Sequence, residues 1–304
     1  MEEPDMTIPA QGMDHDLYRF SPLPKRPPLQ WPGGARVASW VLLHLEYWEL
    51  EPSEGAHSDT RFKGGRGDFF PDYRYFTQRE YGNRIGIFRI LDLLDKHGLK
   101  ATVAVNAGAC ARYPNLIEEC ARRGYEFAAH GEYQSRMITS NMSEEEERQF
   151  IADCLGSLED SLGQKPRGWA GQDYGESERT PQLLAQAGLD FVLDWPNDDE
   201  PYFMRTDPPL VSIPNQSEWD DAQLFAVRKV DSWRYPEIVG SAFEQLAAEG
   251  GQMLGLGIHP WIFGQAHRIR YLEEAVAAIT NQSGVWFASA EEIADAFRAQ
   301  RAAG

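Results

Sequence analysis

Residues 122–137 read RRGYEFAAHGEYQSRM and contain the pattern around which the rest of the chain is arranged. Residues 125–129 have the apolar character of a short buried strand, which stops at His130 and Gly131. In α/β folds the carboxyl ends of strands carry the chemistry, and a glycine there lets the backbone turn or approach a ligand closely. His130 is therefore a candidate site residue, although a core histidine at a strand end would give the same pattern.

Strand and helix patterns alternate along the chain. The first strand is predicted over 36–45, whose nearly continuous apolar residues suit a strand covered on both faces. Further strands are predicted over 100–106, 125–129, 166–169, 191–194, 210–214, 253–259 and 285–288. Helices are predicted over 84–97, 114–123, 143–162, 180–187, 235–249, 268–280 and 290–301. The alternation indicates parallel strands joined by right-handed crossovers. Because no dinucleotide glycine fingerprint follows the first strand, a barrel-like β/α fold of seven or eight strands is preferred over an open Rossmann sheet.

Two segments depart from this alternation. Residues 1–30 are polar and carry a proline cluster, which predicts an extended arm lying over the domain or a neighbouring subunit. Residues 51–80 are rich in Gly, Asp and aromatic residues without periodicity, which predicts a long functional loop. No linker or internal repeat divides the remainder, so residues 31–304 are predicted to form one catalytic domain.

Composition restricts the partners and the compartment. The 304 residues carry a formal net charge of −18 with a pI of about 4.8, and such a surface repels nucleic-acid phosphates and anionic membranes. Cys110, Cys120 and Cys154 match no zinc spacing and are expected to be reduced core residues. The acidic amino terminus lacks the apolar region of a secretory signal and no apolar run has the length of a membrane span. A cytoplasmic location is therefore expected.

The first predicted strand ends with His44, Leu45 and Glu46. Because side chains alternate across a strand, His44 and Glu46 point the same way. An imidazole and a carboxylate would then share one site, unless Glu46 begins a solvated loop.

Gln134 follows His130 by four residues, which places both on one side of a predicted one-turn helix. A histidine with a ligand four residues later is common metal geometry, but glutamine is a poorer zinc ligand than histidine. Gln134 is therefore expected to orient an amide or a water; the alternative is a surface or capping glutamine.

His259 ends an apolar strand that Pro260 prevents from continuing. Two strand-terminal histidines together with Glu46 supply a general acid and a general base near neutral pH, which amide hydrolysis needs.

Other candidates lie in the connecting segments. Asp173 belongs to a glycine-bearing loop after the strand that ends at Trp169, and residues 194–202 form an acidic and aromatic cluster that is either a pocket wall or a turn. Arg84 and Arg136 could bind a charged substrate group, although a surface or ion-pair role is the commoner one. Four tryptophans could line a pocket or pack in the core: Trp48, Trp169, Trp195 and Trp261.

Six pieces in order resemble the polysaccharide deacetylase superfamily, and within it the branch of the bacterial metal-independent allantoinases. They are REYGNRIG at 79–86, TVAVN at 102–106, GYEFAAHG at 124–131, PRGW at 166–169, NDDEPY at 197–202 and HPWIFGQAHR at 259–268. The resemblance spans roughly residues 36–297. It implies a distorted, incomplete (β/α) barrel of the polysaccharide deacetylase type, with its site at the carboxyl ends of the strands.

The resemblance also bears on metal binding. Deacetylases of the family carry an Asp-Asp pair after the first strand and a His-x-x-x-His pair after the third, and one Asp and both histidines hold a divalent metal. Here the corresponding residues are His44 and Glu46, then His130 and Gln134. Glu46 and His130 remain as ligands only if a metal is bound, so the resemblance implies either no cofactor or a weakly bound divalent metal such as zinc, and no nucleotide cofactor. His259 matches the family's late histidine, which acts as an acid or stabilises the oxyanion.

The function that the resemblance implies is hydrolysis of a non-peptide C–N bond, with ring opening of a small cyclic amide, ureide or imide. A water held among Glu46, His130 and Gln134 would attack the carbonyl, and His259 would protonate the leaving nitrogen or support the oxyanion. The predicted substrate-binding residues are His44, Arg84, Arg136, Trp169, Asp173 and Trp261.

Two other functions remain open at this point. One is a metal-dependent deacetylase of an N-acetyl sugar or polysaccharide, which needs an open groove and usually export. The other is a non-catalytic small-molecule binding protein on the same scaffold. Relatives in this branch commonly form dimers or tetramers, so a homo-oligomer with a small-molecule substrate is expected.

Overall fold

The computed structural model describes residues 14–53, 56 and 69–302, and one sheet runs through it. Its strands are β1 (Val37–Leu45), β2 (Thr102–Val105), β3 (Glu126–Ala129), β4 (Gly168–Trp169), β5 (Phe191–Val192), β6 (Tyr202–Phe203), β7 (Val211–Ser212), β8 (Gln252–Ile258) and β9 (Val285–Phe287). Eight of them follow one another in the order β6-β7-β5-β4-β3-β2-β1-β8, and β9 pairs with the start of β1. All pairs are parallel except β6 with β7. The sheet is open and curled into a half-barrel, which confirms the predicted distorted, incomplete barrel.

Ten α-helices occur in the described residues. They are α1 (Tyr73–Tyr81), α2 (Ile87–His97), α3 (Ala107–Arg112), α4 (Pro114–Arg122), α5 (Glu144–Leu162), α6 (Thr180–Gln186), α7 (Tyr235–Glu249), α8 (Pro260–Phe263), α9 (Ile269–Thr280) and α10 (Ala290–Ala302). A π-helical segment, Gly82–Gly86, joins α1 to α2. At the start of α5, Ser143 and Glu146 form the capping box that the sequence indicates, a device that stabilises a helix by about 1 kcal/mol.

The two faces of β1 determine where its last side chains point. Val41 and Leu43 pack in the larger core cluster with the apolar residues of α2, α7 and α9. Trp40 and Leu42 pack in a smaller cluster inside the curled sheet, together with residues of α10. Alternation continues this inner face to His44 and, just past the strand, to Glu46.

Several predicted boundaries need correction. The predicted loop 51–80 contains the start of α1, which begins after Asp72 because that carboxylate accepts hydrogen bonds from the backbone N–H groups of Arg74 and Tyr75. Residues 54–55 and 57–68 of that loop lie outside the described residues. The predicted one-turn helix at 130–134 is a turn instead. The helices α3 and α8 and the antiparallel strand β6 were not foreseen, because each is six residues or shorter and shows no periodicity.

The described part of the predicted arm, residues 14–30, packs on its own chain. Tyr18 forms an antiparallel bridge with Met204, and Leu29 is buried in the smaller cluster that contains Trp40 and Leu42. Residues 1–13 of the arm lie outside the described residues. All three cysteines are buried and unpaired. Over the residues described, we find no helix with the length and apolar character to cross a membrane.

Candidate active site

Three strand ends meet at one edge of the half-barrel. His44 lies near the end of β1 and Glu46 directly follows that strand, His130 follows β3, and His259 follows β8, which pairs directly with β1 over seven residues. At Gly131 the backbone φ is +69°, and a Cβ there would overlap the side chain of Gln172. The glycine is therefore needed both for its conformation and for its lack of a side chain.

One carboxylate oxygen lies among three imidazoles. Glu46 Oε1 is 3.7 Å from His44 Nδ1, 3.7 Å from His130 Nε2 and 3.6 Å from His259 Nε2. The rings of His44 and His259 are stacked, with centroids 4.0 Å apart and planes inclined by 7°. All four side chains are buried, so their charges interact through a medium of much lower dielectric than water.

The second ring nitrogens of His130 and His259 have different partners. His130 Nδ1 is 2.5 Å from the carbonyl oxygen of Ala170, so Nδ1 carries the proton and donates it. His259 Nδ1 is 2.6 Å from Asp221 Oδ1, and the His259 backbone N–H donates to the other oxygen of that carboxylate at 2.9 Å. Both rings are thereby oriented with Nε2 toward Glu46.

These partners set the charges at neutral pH. Burial lowers the pKa of His259, but the charge and hydrogen bond of Asp221 outweigh burial and raise it to about 10. Burial raises the pKa of Glu46, yet the neighbouring imidazoles of His130, His259 and His44 hold that pKa well below the usual range. Burial and the neighbouring charge of His259 lower the pKa of His44. The site therefore contains an ionised Glu46, a protonated His259 and a neutral His44.

Two asparagines fix the backbone of the strand ends. Asn83 Nδ2 donates to the backbone oxygen of Glu46 at 2.8 Å. Asn106 accepts from the N–H of Tyr47 at 2.9 Å and donates to the backbone oxygen of His130. Asn106 thus ties the first and third strand ends together, and Asn83 ties the first strand end to the π-helical segment. The sequence did not reveal these contacts because each asparagine comes from another element.

Glu46 and the three histidines line a pocket whose empty space, counted together with its solvent-filled opening, is about 530 Å³. Its lining residues are His44, Glu46, Trp48, His130, Gln134, Met137, Asp173, Tyr174, Asp220, Ala222, Gln223, His259 and Trp261. The Gln134 side chain is buried with an unpartnered Oε1, and the backbone N–H of Gln134 donates to the backbone oxygen of Tyr47 at 3.0 Å. This bond replaces the predicted helical turn as the reason why Gln134 lies near His130.

Four of the predicted pocket residues lie elsewhere. Arg84 is 72% exposed and pairs with Glu80. Arg136 is engaged by two carboxylates, at 3.0 Å and 2.8 Å. Trp169 is fully buried in the core, and Trp195 packs edge-on against Tyr18. The pocket wall instead includes Tyr174, which follows Asp173 in a left-handed backbone conformation, with φ of 59° and 50° respectively.

An acidic pair was not foreseen from the sequence. Asp220 and Asp221 precede the π-helical segment Ala222–Val227, and both carboxylates are buried beside His259. Asp220 Oδ2 lies 4.0 Å from His259 Nδ1, and burial raises the Asp220 pKa to about 6. Adjacent acids in a segment without periodicity resemble an ordinary turn, and only the fold brings them to His259.

The residues also fit a divalent metal. Ligand atoms of His44, Glu46 and His259 lie within 4.8 Å of one another. Both ring nitrogens of His44 are buried without a hydrogen-bond partner. Two imidazoles and a carboxylate are a donor set that zinc accepts, and a carboxylate behind a ligating histidine, as Asp221 is behind His259, is common at zinc sites.

Comparison with known proteins finds similarity to polysaccharide deacetylases and to an allantoinase. The polysaccharide deacetylase family model matches residues 81–192. A candidate polysaccharide deacetylase of Schizosaccharomyces pombe is 29% identical over 250 residues, which cover 73% of this chain and 75% of that protein. The crystal structure of PuuE allantoinase superposes with a TM-score of 0.78 and 26% identity, covering 90% of this chain and 94% of the other. A candidate polysaccharide deacetylase from Pseudomonas aeruginosa PAO1 gives a TM-score of 0.79 and 25% identity, covering 91% and 95%. The allantoinase and the deacetylase are equally similar to this chain.

Proposed function

We propose that this relative of the polysaccharide deacetylases is a hydrolase of non-peptide C–N bonds that opens the ring of a small cyclic amide, ureide or imide. One observation carries the proposal: the buried Glu46 carboxylate lies 3.6–3.7 Å from three imidazole nitrogens in a pocket at the strand ends. That arrangement places proton acceptors and a charged proton donor around one reacting centre, as amide hydrolysis requires.

The attacking water would lie between Glu46 Oε1 and His130 Nε2. These atoms are 3.7 Å apart, a separation that favours a bridging water over a direct bond. Because Nδ1 of His130 donates to a carbonyl, Nε2 can accept a proton from the water. The oxygen of that water then bonds to the carbonyl carbon of the substrate. The depressed pKa of Glu46 makes it a weaker base than an ordinary carboxylate, so it would orient the water. The unpartnered Oε1 of Gln134 offers a further acceptor.

His259 would act on the other side of the substrate. With Nδ1 bonded to Asp221, its protonated Nε2 can stabilise the oxyanion of the tetrahedral intermediate and then donate a proton to the nitrogen as the C–N bond breaks. A pKa of about 10 keeps His259 charged throughout the physiological range. Ring opening would give a single product with a carboxylate at one end and a new N–H group at the other. The carboxyl proton would return to His259, and the proton on His130 would pass to the solvent.

A divalent metal held by His44, Glu46 and His259 would supply Lewis-acid polarisation of the substrate carbonyl. This possibility favours a second candidate, a metal-dependent deacetylase of N-acetyl sugars. Against it stands Gln134, which occupies the position of the second histidine of the family's His-x-x-x-His pair.

The test is mass spectrometry of a substrate panel incubated with protein prepared with and without a chelator. The panel contains cyclic ureides, cyclic imides, hydantoins and short N-acetyl-sugar oligomers. We expect a product heavier by one water, with the same yield after chelation. The matched variants are His130→Ala, which should lose turnover, and His267→Ala, an exposed histidine outside the pocket, which should keep it.

Other outcomes would overturn the proposal in distinguishable ways. Loss of an acetyl group that chelation abolishes would establish the deacetylase. A thermal shift induced by a panel compound, without turnover of any compound, would establish a binding protein on this scaffold.

A further inference from the structure

A buried arginine lies behind the aromatic wall of the pocket. Arg79 in α1 is only 3% exposed. Its guanidinium carbon is 3.7 Å from the ring centroid of Trp261 and 4.0 Å from that of Tyr75. Its Nη1 also donates to Gln78 Oε1 at 3.0 Å. A planar guanidinium stacks on aromatic faces in a way that an ammonium cannot, so Arg79 fixes both rings against each other.

The contacts of this arginine continue to the catalytic carboxylate. Trp48 lies edge-on to Tyr75, with centroids 5.3 Å apart and planes inclined by 84°, and its ring centroid is 5.6 Å from the guanidinium carbon of Arg79. The Trp48 indole N–H donates to Glu46 Oε2 at 3.0 Å. The other oxygen, Oε1, is the one that faces the three imidazoles. A turn of the indole would therefore turn the carboxylate as well.

The helix that carries Arg79 contacts both the first and the eighth strand ends. A Cβ at Gly82 would lie 2.6 Å from the backbone nitrogen of Trp261, so the π-helical segment after α1 packs tightly on the residues that follow His259. From the same segment, Asn83 donates to the backbone oxygen of Glu46. Arg79 thus lies about one turn before the segment that contacts both the backbone of Glu46 and the residues after His259.

We propose that Arg79 is a positioning residue that holds Trp48 and, through the Trp48 indole N–H, sets the orientation of the Glu46 carboxylate. The kinetic part of this inference rests on the proposed hydrolysis, whereas the orientation of Trp48 is measurable without turnover. No contact between Arg79 and substrate is needed.

The experiment uses Arg79→Met, which keeps length but loses charge and planarity, and Arg79→Lys, which keeps only the charge. We expect Arg79→Met to lower kcat by about 10- to 100-fold with KM changed by less than about threefold, since a small misplacement of catalytic groups has effects of that size. Arg79→Lys should lie between wild type and Arg79→Met. In a Trp48→Phe background, adding Arg79→Met should lower kcat by no more than about a further twofold, because both changes interrupt the same path of contacts.

A spectroscopic readout separates positioning from general loosening of the fold. The indole ¹⁵N–¹H resonance of Trp48, identified by its absence in Trp48→Phe, should shift in Arg79→Met and Arg79→Lys because the hydrogen bond to Glu46 changes. The control is Arg270→Met, which removes an exposed guanidinium 4.4 Å from the Tyr271 ring on α9 and should leave that resonance unmoved.

The outcomes decide the proposal even if one variant fails to fold. An unmoved Trp48 resonance in Arg79→Lys or in folded Arg79→Met would overturn it, and so would multiplicative effects of Arg79→Met and Trp48→Phe on kcat. If no panel compound is turned over, the proposed function fails, while the resonance still tests Arg79.

Discussion

The ends of β3 and β8 both present a histidine to Glu46, at nearly the same distance, yet the two rings have different properties. His130 Nε2 lies 3.7 Å and His259 Nε2 3.6 Å from Glu46 Oε1. Behind His130 is a neutral backbone carbonyl, that of Ala170, whereas behind His259 is the carboxylate of Asp221. The partner of Nδ1 therefore distinguishes an imidazole suited to accept a proton from one that is held charged.

The two regions also differ in how firmly they are held. β8 pairs with β1 over seven residues, so His259 and the charged groups around it lie on the most extensively paired part of the sheet. β3 pairs with β4 over only two residues, and the loop beyond β4 contains Asp173 and Tyr174 in left-handed conformations. Backbone strain of this kind is often found at ligand-contacting sites. We infer that the β8 side fixes the charge and the β4 side shapes the contact with substrate.

The largest effect is expected when both histidines lose their common partner. Glu46→Gln keeps the shape of the side chain but removes its charge, so the water loses its orienting acceptor and His259 loses a neighbouring anion. Turnover of whichever panel compound is hydrolysed should fall by about 10³-fold or more, toward the upper range for a positioned acid–base group. Steady-state kinetics measure the loss, and thermal unfolding checks the fold. A loss of less than tenfold would contradict the assigned role of Glu46.

The next change makes the two histidines alike. Asp221→Asn replaces the carboxylate behind His259 by a neutral amide, so the His259 pKa should fall from about 10 and the ring should lose its proton at lower pH. We expect kcat to fall by about 10²- to 10³-fold at pH 8, and the alkaline limb of its pH profile to move to lower pH.

The companion variant for this prediction is Asp220→Asn, which alters the more distant carboxylate, 4.0 Å from His259 Nδ1. Its alkaline limb should move less than that of Asp221→Asn. Superimposable pH profiles for wild type and Asp221→Asn would show that the charge of His259 is not set by Asp221.

A third change strengthens the β3 end as a metal site. Gln134→His would restore a histidine pair with His130, and imidazole is a better zinc ligand than an amide. Zinc affinity, measured by calorimetry after chelator treatment, should increase by about 10- to 100-fold over wild type. The control is Gln223→His, which adds a histidine elsewhere on the pocket wall. Equal affinities for wild type and Gln134→His would mean that the metal is held by the β1 and β8 residues alone.

The histidines and Glu46 were recognisable from the sequence because each ends a short apolar run, and parallel strands bring such ends to one edge. Periodicity likewise predicted α7 with the bounds that the structure has, 235–249. Side-chain direction was readable on β1 because it is a nine-residue strand, in which side chains at every second position share a face. It was not readable for Trp169, since β4 has only two residues and the chain enters it from a coil.

What the sequence did not predict depends on contacts between distant segments. Asp221 reaches His259 across 38 positions, and Asn83 reaches the backbone of Glu46 across 37. The helix α1 was missed because it buries Arg79 among aromatic rings and lacks the apolar stripe by which helices are recognised. Arg84 and Arg136 were named as candidate substrate-binding residues, but both have the ion-pair role that was the commoner alternative.

The smallest expected effect concerns Asp194, a buried acid near the Ala170 carbonyl that accepts the hydrogen bond of His130. Asp194 accepts a hydrogen bond from the backbone N–H of Gly171 at 2.6 Å. Gly171 directly follows Ala170, whose carbonyl oxygen accepts the hydrogen bond of His130. The Asp194 carboxyl group also hydrogen-bonds with Glu176. Burial raises the Asp194 pKa to about 6, and burial together with Asp194 raises that of Glu176. At neutral pH this carboxyl pair thus retains a proton more readily than exposed acids do.

An acid whose pKa is raised by folding stabilises the folded state fully below its unfolded pKa, and this contribution is lost as the pH rises through the folded value. The free energy of unfolding of the wild type should therefore fall between about pH 4 and pH 6, by about 1–2 kcal/mol from this group. Asp194→Asn should flatten that dependence in urea titrations, whereas Asp231→Asn at an exposed position should leave it unchanged. If wild type and Asp194→Asn lose stability in parallel over this range, Asp194 is not the group whose titration lowers the stability. The difference between the His130 and His259 regions would then rest only on the different partners of the two Nδ1 atoms.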